Sequence, residues 1–147
     1  MGTPDRIERE IVIDAPVERV WSLVTEPGWW ISDAGDRTGR RQWREGDLEV
    51  VQDPRYGRFP VRLEQTEPRR YLAYRWASAF PGEDPGTGNS TLIEFWLTER
   101  DGGTVLRVAE SGFAALATTD EARERAFGDN TGGWAEQLDV LKRLAEE

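Results

Sequence analysis

The chain contains neither cysteine nor histidine among its 147 residues. The absence of cysteine excludes a disulfide framework, a thiolate nucleophile and a cysteine-based metal site. The absence of histidine removes the usual general base of a serine or cysteine triad and the commonest ligand of zinc and iron. We therefore expect no metal ion and no other cofactor. Any acid–base chemistry would rest on aspartate, glutamate, tyrosine or Lys142, the single lysine.

Long apolar runs and positive charge are also scarce. No stretch approaches the roughly 18 apolar residues of a membrane span, and the first residues form no apolar signal segment. We therefore expect a cytoplasmic protein with no membrane partner. The net charge is −9 and the arginines are scattered along the chain, which disfavours a nucleic-acid partner.

The apolar residues that are present follow the pattern of β-strands. They alternate with polar residues in short segments bounded by glycine, proline or aspartate turns. Strands are predicted at residues 7–13, 48–53, 58–66, 71–77, 91–99 and 105–111, with a shorter one at 41–43. The residues predicted to face inward include Phe59, Val61, Leu63, Leu72, Tyr74, Trp76, Ile93, Phe95, Leu97, Leu106, Val108 and Glu110.

Helical spacing appears in three places. Residues 16–25 form a short amphipathic pattern, for which Asp14 is a suitable cap. A capping box formed by Thr118 and Glu121 predicts a helix that ends near Gly128. Residues 130–147 carry a clear apolar stripe and predict a separate, longer helix.

That last helix is the element around which we expect the sheet to close. Asn130 is its predicted N-cap, and Trp134, Leu138 and Leu141 lie on its apolar stripe. The Gly132-Gly133 pair would then loosen the first turn, where we expect the helix to separate from the sheet.

Successive short hairpins followed by a long helix favour an antiparallel meander over a parallel sheet. The length fits one domain over residues 1–147. We therefore predict an α+β helix-grip fold, in which a curved antiparallel sheet of six or seven strands wraps a C-terminal helix. The segment at 80–90 is rich in glycine and proline and is predicted to be a mobile loop.

Four segments in this order resemble a known family. The opening I-V-I-D-A-P-V-E-R-V-W-S-L-V-T-E-P resembles the first strand and helix of the START/Bet v 1-like (SRPBCC) superfamily. The segments E-P-R-R-Y-L-A-Y-R-W, G-G-T-V-L-R-V-A-E-S-G-F and G-G-W-A-E-Q-L-D-V-L-K-R-L resemble its bacterial branch related to activators of the heat-shock-protein-90 ATPase. The 80–90 loop and the Gly132-Gly133 pair depart from that pattern.

The resemblance implies a hydrophobic cavity between the sheet and the C-terminal helix. Members of the superfamily bind lipids, hormones or polyketides there, and a few catalyse cyclisation or dehydration. No residue matches a cyclase catalytic set, so none is assigned as catalytic. The chain also shows no sign of the additional domain that eukaryotic co-chaperones carry.

Seven tryptophans make an aromatic-lined cavity the main alternative to an ordinary core. Trp76 and Trp134 are the best wall candidates, Trp29 and Trp30 would form a lid, and Trp96 alternates to the outer face. The predicted ligand-binding residues are Trp29, Trp30, Leu72, Tyr74, Trp76, Ile93, Phe95, Glu110, Trp134, Leu138 and Leu141.

Glu110 is the sharpest polar candidate because its strand directs it toward the helix. A buried carboxylate needs a partner or a raised pKa. It would either bond a backbone N–H or an arginine, or serve as a ligand anchor or general acid–base. Arg62, Arg75 and Tyr74 are the candidate partners, although alternation turns both arginines outward.

Three functions remain open from the sequence. The first is a binding protein for a hydrophobic or aromatic small molecule. The second is a cyclase- or dehydratase-type enzyme that uses the same cavity. The third is a co-chaperone-like or homodimeric interaction protein, which would expose an apolar patch.

Overall fold

The computed structural model describes residues 4–32 and 35–147. These residues form an antiparallel sheet, two α-helices and one turn of 3-10 helix at Phe113–Ala115. The strands are β1 Arg6–Ile13, β2 Arg41–Glu45, β3 Leu48–Asp53, β4 Gly57–Glu67, β5 Tyr71–Trp76, β6 Thr91–Arg100 and β7 Gly103–Ser111. The helices are α1 Val17–Val24 and α2 Asp120–Glu146.

The seven strands lie in the order β1-β7-β6-β5-β4-β3-β2. From β2 to β7 each strand pairs with the next along the chain, and β1 then pairs with β7 at the far edge. Asp101 and Gly102 both have positive φ in the β6–β7 hairpin, as a tight turn that matches strand twist requires. The predicted antiparallel meander and the helix-grip fold are therefore confirmed.

The inner face of the sheet carries the core, and α1 and α2 cover it. Of the residues predicted to face inward, all but Leu63 are buried. Leu63 is 50% exposed and lies immediately before a β-bulge, where the β4–β5 register shifts between Leu63 and Gln65. Simple alternation does not anticipate a bulge.

The start of α1 differs from the prediction at its cap. Pro16 occupies the N-cap position, and no side chain caps the helix. Asp14 instead uses its backbone N–H, which donates to Glu146 Oε2 over 2.7 Å. Thr104 Oγ1 donates to the carbonyl of Ala15 over 2.8 Å and holds the connection between β1 and α1 against β7. This connection is therefore fixed by tertiary contacts instead of a local cap.

Helix α2 is one continuous helix of 27 residues, about 40 Å long at 1.5 Å per residue. The predicted break was wrong: Gly128 does not end a helix, and Asn130 is not an N-cap. Thr119 is the N-cap, one residue after the predicted Thr118, and its hydroxyl accepts from the backbone N–H of Ala122 over 3.1 Å.

Tertiary contacts explain why this helix continues through three glycines. A helical glycine costs only about 1 kcal/mol relative to alanine. Phe127 stacks edge-on against Phe113 with ring centroids 5.4 Å apart, and Asn130 hydrogen-bonds Glu110. The Gly132-Gly133 pair lies in the middle of α2, so its predicted place in a first turn was also wrong. None of the described helices combines the length and apolar content that a membrane crossing requires.

The 80–90 segment is a loop, as predicted, and it is tied to the neighbouring strand. Arg58 Nη1 donates to the carbonyl of Gly82 and Arg62 Nη1 to that of Pro85, each over 2.9 Å. Within the loop, Ser90 Oγ donates to the carbonyl of Gly86 over 2.6 Å. The loop is thus anchored to β4, while its mobility stays a prediction.

Candidate functional site

A pocket of about 400 Å³ opens to solvent between the middle of α2, the segment after Trp29, and strands β4 and β5. Its volume falls within the range of about 300–1,000 Å³ that is typical of small-molecule sites. The lining residues are Trp30, Ile31, Ser32, Tyr56, Phe59, Trp76, Ser78, Asp129, Asn130, Gly133, Trp134, Glu136 and Gln137.

Aromatic side chains form the walls of this pocket. Trp30 and Trp76 meet edge to face with centroids 5.5 Å apart. Trp30 also contacts Trp134 at 5.8 Å, and Phe59 contacts Trp76 at 5.7 Å. Such spacing and tilt are favourable for aromatic pairs. The four rings therefore support one another as a continuous wall.

The rim of the pocket is polar. Gln137 Nε2 donates to the carbonyl of Ser32 over 2.9 Å, and Ser32 Oγ donates to Gln137 Oε1 over 3.2 Å. Asn130 Nδ2 donates to Ser78 Oγ over 3.0 Å. These bonds join α2 to the two segments on the other side of the opening. Asp129 and Glu136 are the exposed acidic residues of the lining.

Glu110 lies beside the pocket wall, fully buried, and accepts hydrogen bonds from four side chains. Trp134 Nε1 donates to Oε1 over 2.8 Å, and Trp76 Nε1 donates to Oε2 over 2.9 Å. Thr91 Oγ1 also donates to Oε2, and Asn130 Nδ2 lies 3.1 Å from both oxygens. The carboxylate therefore sits in a shell of donors.

The sheet register and the helix repeat bring these donors together. Trp76 pairs with Thr91 across β5 and β6, and Ile93 pairs with Glu110 across β6 and β7, so Thr91 lies diagonal to Glu110. Asn130 and Trp134 are four residues apart on α2 and present their side chains on one face. Thr91 and Asn130 were not predicted from the sequence as partners of Glu110. A single helix that continues through Gly128 places Asn130 and Trp134 on one face, and that pattern would have indicated Asn130.

Burial raises the pKa of Glu110 above its ordinary value of 4.5, while the hydrogen bonds from Thr91, Trp76, Trp134 and Asn130 oppose that rise.

The partners predicted for Glu110 were wrong. Arg62 bonds Asp47 over 3.1 Å, Arg75 lies 3.5 Å from Glu64, and the Tyr74 hydroxyl donates to the carbonyl of Thr25. Both arginines face outward, as the alternation indicated, which places them on the other side of the sheet from Glu110.

Three of the predicted ligand-binding residues line the pocket, namely Trp30, Trp76 and Trp134. The others are buried in the core and do not border it: Trp29, Leu72, Tyr74, Ile93, Phe95, Leu138 and Leu141. Glu110 lies behind the wall. Binding of a ligand by any of these residues stays a prediction.

Trp29 and Trp30 do not form a lid, because both are buried at 3% and 5% exposure. Trp29 packs against Phe95 at 5.7 Å and against Trp134 at 6.2 Å. These indoles fill the space between the sheet and α2. The pocket therefore lies at the end of that space that opens to solvent. Among the described residues, neither Trp29 Nε1 nor Trp30 Nε1 has a hydrogen-bond partner. Each such buried donor lowers the stability of the fold by about 1–3 kcal/mol.

The curved antiparallel sheet, the long helix across it and the pocket at their open end define a helix-grip protein. Within that class the chain belongs to the family of Activator of Hsp90 ATPase homolog 1-like proteins, whose family model matches residues 14–146. The match confirms the resemblance found in the sequence.

Solved structures show the same fold at low sequence identity. Protein MLL2253 from Mesorhizobium loti is 22% identical with a TM-score of 0.69, and the match covers 95% of each chain. Protein BH1534 from Bacillus halodurans is 22% identical with a TM-score of 0.69, over 99% of this chain and 100% of that one. CalU16 from Micromonospora echinospora is 22% identical with a TM-score of 0.61, over 95% of this chain and 75% of that one. A comparison with curated protein sequences finds no significant match.

Proposed function

We propose that this protein binds a hydrophobic or aromatic small molecule in the pocket between α2 and strands β4 and β5. The observation that carries the proposal is a pocket of about 400 Å³ with five aromatic side chains in its lining. Large rigid rings give a ligand much contact area at little entropic cost. The polar rim would orient the ligand, since hydrogen bonds already hold its side chains in place.

The two adjacent glycines of α2 provide a matched test. Gly133 lines the pocket and Gly132 does not. A Cβ added at either glycine meets no atom within 4 Å, so both positions accept a side chain without a clash. Gly133→Leu should fill part of the pocket and weaken binding of Nile red, a neutral hydrophobic dye, by about tenfold or more. Gly132→Leu should leave dye binding unchanged.

Dye fluorescence would measure both affinities, and urea unfolding would verify that each variant folds. Either leucine should also stabilise α2 by up to about 1 kcal/mol relative to glycine. A loss of dye binding therefore could not be attributed to unfolding. Equal dye affinity in both variants would show that the ligand does not occupy this pocket.

Catalysis in the same pocket has less support. A cyclase- or dehydratase-type reaction would need an acid or base that reaches the substrate. Glu110 is 0% exposed, and both of its oxygens already accept hydrogen bonds from protein side chains. A substrate would have to displace those donors before proton transfer.

An interaction or dimer function also has less support. Among the described residues, the exposed large hydrophobic side chains are Val12, Tyr56 and Leu63. Val12 lies on β1 and Leu63 on β4, with three strands between them. At about 4.8 Å per strand these side chains are too far apart to form one apolar patch.

A further inference from the structure

We propose that the pocket selects organic cations, in which an ammonium group is carried on an apolar body, over neutral or anionic molecules of the same shape. This inference rests on the proposed function, because it names the chemical class of the ligand for the same pocket. It is carried by the charges of the lining, by the aromatic rings of the wall and by the environment of Glu110.

The charged residues of the lining are all of one sign. Asp129 and Glu136 belong to it, and no lysine or arginine does. Within the described part of the chain, neither carboxylate forms an ion pair or a hydrogen bond with a side chain. Their negative charge at the mouth is therefore available to attract a cation and to repel an anion.

The walls consist largely of aromatic rings, whose faces are electron-rich. A cation over the face of a tryptophan is attracted by its quadrupole, and the effect strengthens when the site is shielded from water. Trp30, Trp76 and Trp134 are each less than 10% exposed, and each borders the pocket. Three indoles around one opening are the side chains that bind a quaternary ammonium group best.

Glu110 adds to this effect from behind the wall. Among the described residues, the hydrogen-bond donors to its Oε1 are Trp134 Nε1 and Asn130 Nδ2, which can donate but cannot accept. When Glu110 is ionised, no cationic side chain among the described residues bonds it. A bound ammonium group would supply the missing countercharge. Donation to an anion also makes the Trp76 and Trp134 rings more electron-rich, which strengthens their attraction for a cation.

The unpaired Trp30 N–H does not favour the opposite charge. Trp30 Nε1 has no hydrogen-bond partner among the described residues, but the atom itself is buried. It therefore offers no accessible donor to an anionic ligand in the pocket. Trp30 contributes its ring to the wall, in contact with the rings of Trp76 and Trp134.

Two isosteric probes isolate the charge. Phenyltrimethylammonium and tert-butylbenzene have nearly the same shape, and benzenesulfonate serves as the anion of similar size. Titrations of the whole protein, followed by tryptophan fluorescence, would give the three affinities. The cation should bind about tenfold tighter than its neutral isostere, which corresponds to about 1.4 kcal/mol. Benzenesulfonate should bind weakest.

Paired charge variants test the source of this preference. The Asp129→Asn/Glu136→Gln double variant should weaken cation binding several-fold and change tert-butylbenzene binding by a much smaller factor. Glu124→Gln/Asp139→Asn is the matched control: it removes two exposed carboxylates of α2 that lie outside the lining and should leave both affinities unchanged. Glu110→Gln should also weaken only the cation, and the surface double variant keeps the test valid if that core variant does not fold.

The outcomes separate this inference from the proposed function. If tert-butylbenzene binds as tightly as phenyltrimethylammonium, or if benzenesulfonate binds tighter, the cation preference is overturned while binding in the pocket stands. If none of the three probes binds and Nile red also fails, both are overturned. If the control double variant weakens the cation as much as the lining variant, the preference comes from overall charge and not from the pocket.

Discussion

At the scale of single residues, Glu110 organises the site. Its strand position and inward direction could be predicted from alternation along β7, because Leu106 and Val108 precede it at a period of two. Its partners could not, since they come from β5, β6 and α2, and no local pattern in the sequence links those segments. The arginines were candidates only by charge, whereas the structure satisfies the carboxylate with neutral donors.

The raised pKa of Glu110 predicts a pH-dependent stability. Because the folded protein holds this proton more tightly than the unfolded chain does, its free energy of unfolding falls as the pH rises above 4.5 through the folded pKa. Glutamine at position 110 does not titrate. The free energy of unfolding of the wild type minus that of Glu110→Gln should therefore fall with rising pH, by at most about 1.4 kcal/mol per pH unit.

Urea unfolding of both proteins between about pH 4 and pH 8 would measure this difference. Below the unfolded pKa the difference should be flat. A difference that rises with pH would mean that the four donors outweigh burial and that the pKa is lowered instead.

At the scale of elements, the strands followed from the sequence more closely than the helices. Period-two alternation and turn residues predict all seven strands, and every strand end agrees with the structure to within two residues. The sequence predicts two helices in place of α2, because local propensity favours a helix end at Gly128 and a cap at Asn130. Tertiary contacts override that propensity, since Phe127 and Asn130 pack on either side of the expected break.

Gly128→Ala tests the continuity of α2. Gly128 is exposed, and a Cβ there meets nothing within 4 Å. Because alanine favours a helix interior, the variant should raise the free energy of unfolding by about 0.5–1 kcal/mol. Gly112→Ala is the control with the opposite sign, because Gly112 has a φ of +104°, which alanine adopts at a cost. Destabilisation by Gly128→Ala would indicate a helix end at that residue.

At the scale of the whole molecule, the fold class and the family could be predicted, while the position of the pocket could not. The sequence placed the cavity in the centre, between Leu72, Ile93 and Phe95 on one side and Leu138 on the other. These residues are buried in a packed core, because Trp29 and Trp30 fill the centre instead of covering it. Residue spacing alone cannot tell whether Trp29 and Trp30 fill the core or cover it as a lid. This difference determines where a ligand fits.

The indole N–H signals in a ¹H–¹⁵N NMR spectrum test most directly whether a ligand occupies the pocket. Six of the seven tryptophans are built-in probes: Trp30, Trp76 and Trp134 line the pocket, whereas Trp21, Trp43 and Trp96 lie outside its lining. On titration with phenyltrimethylammonium, the three lining signals should shift together and saturate with one affinity, and the three outer signals should stay in place. Shifts confined to Trp21, Trp43 or Trp96, or no saturable shift at the lining indoles with this probe or with Nile red, would contradict the account.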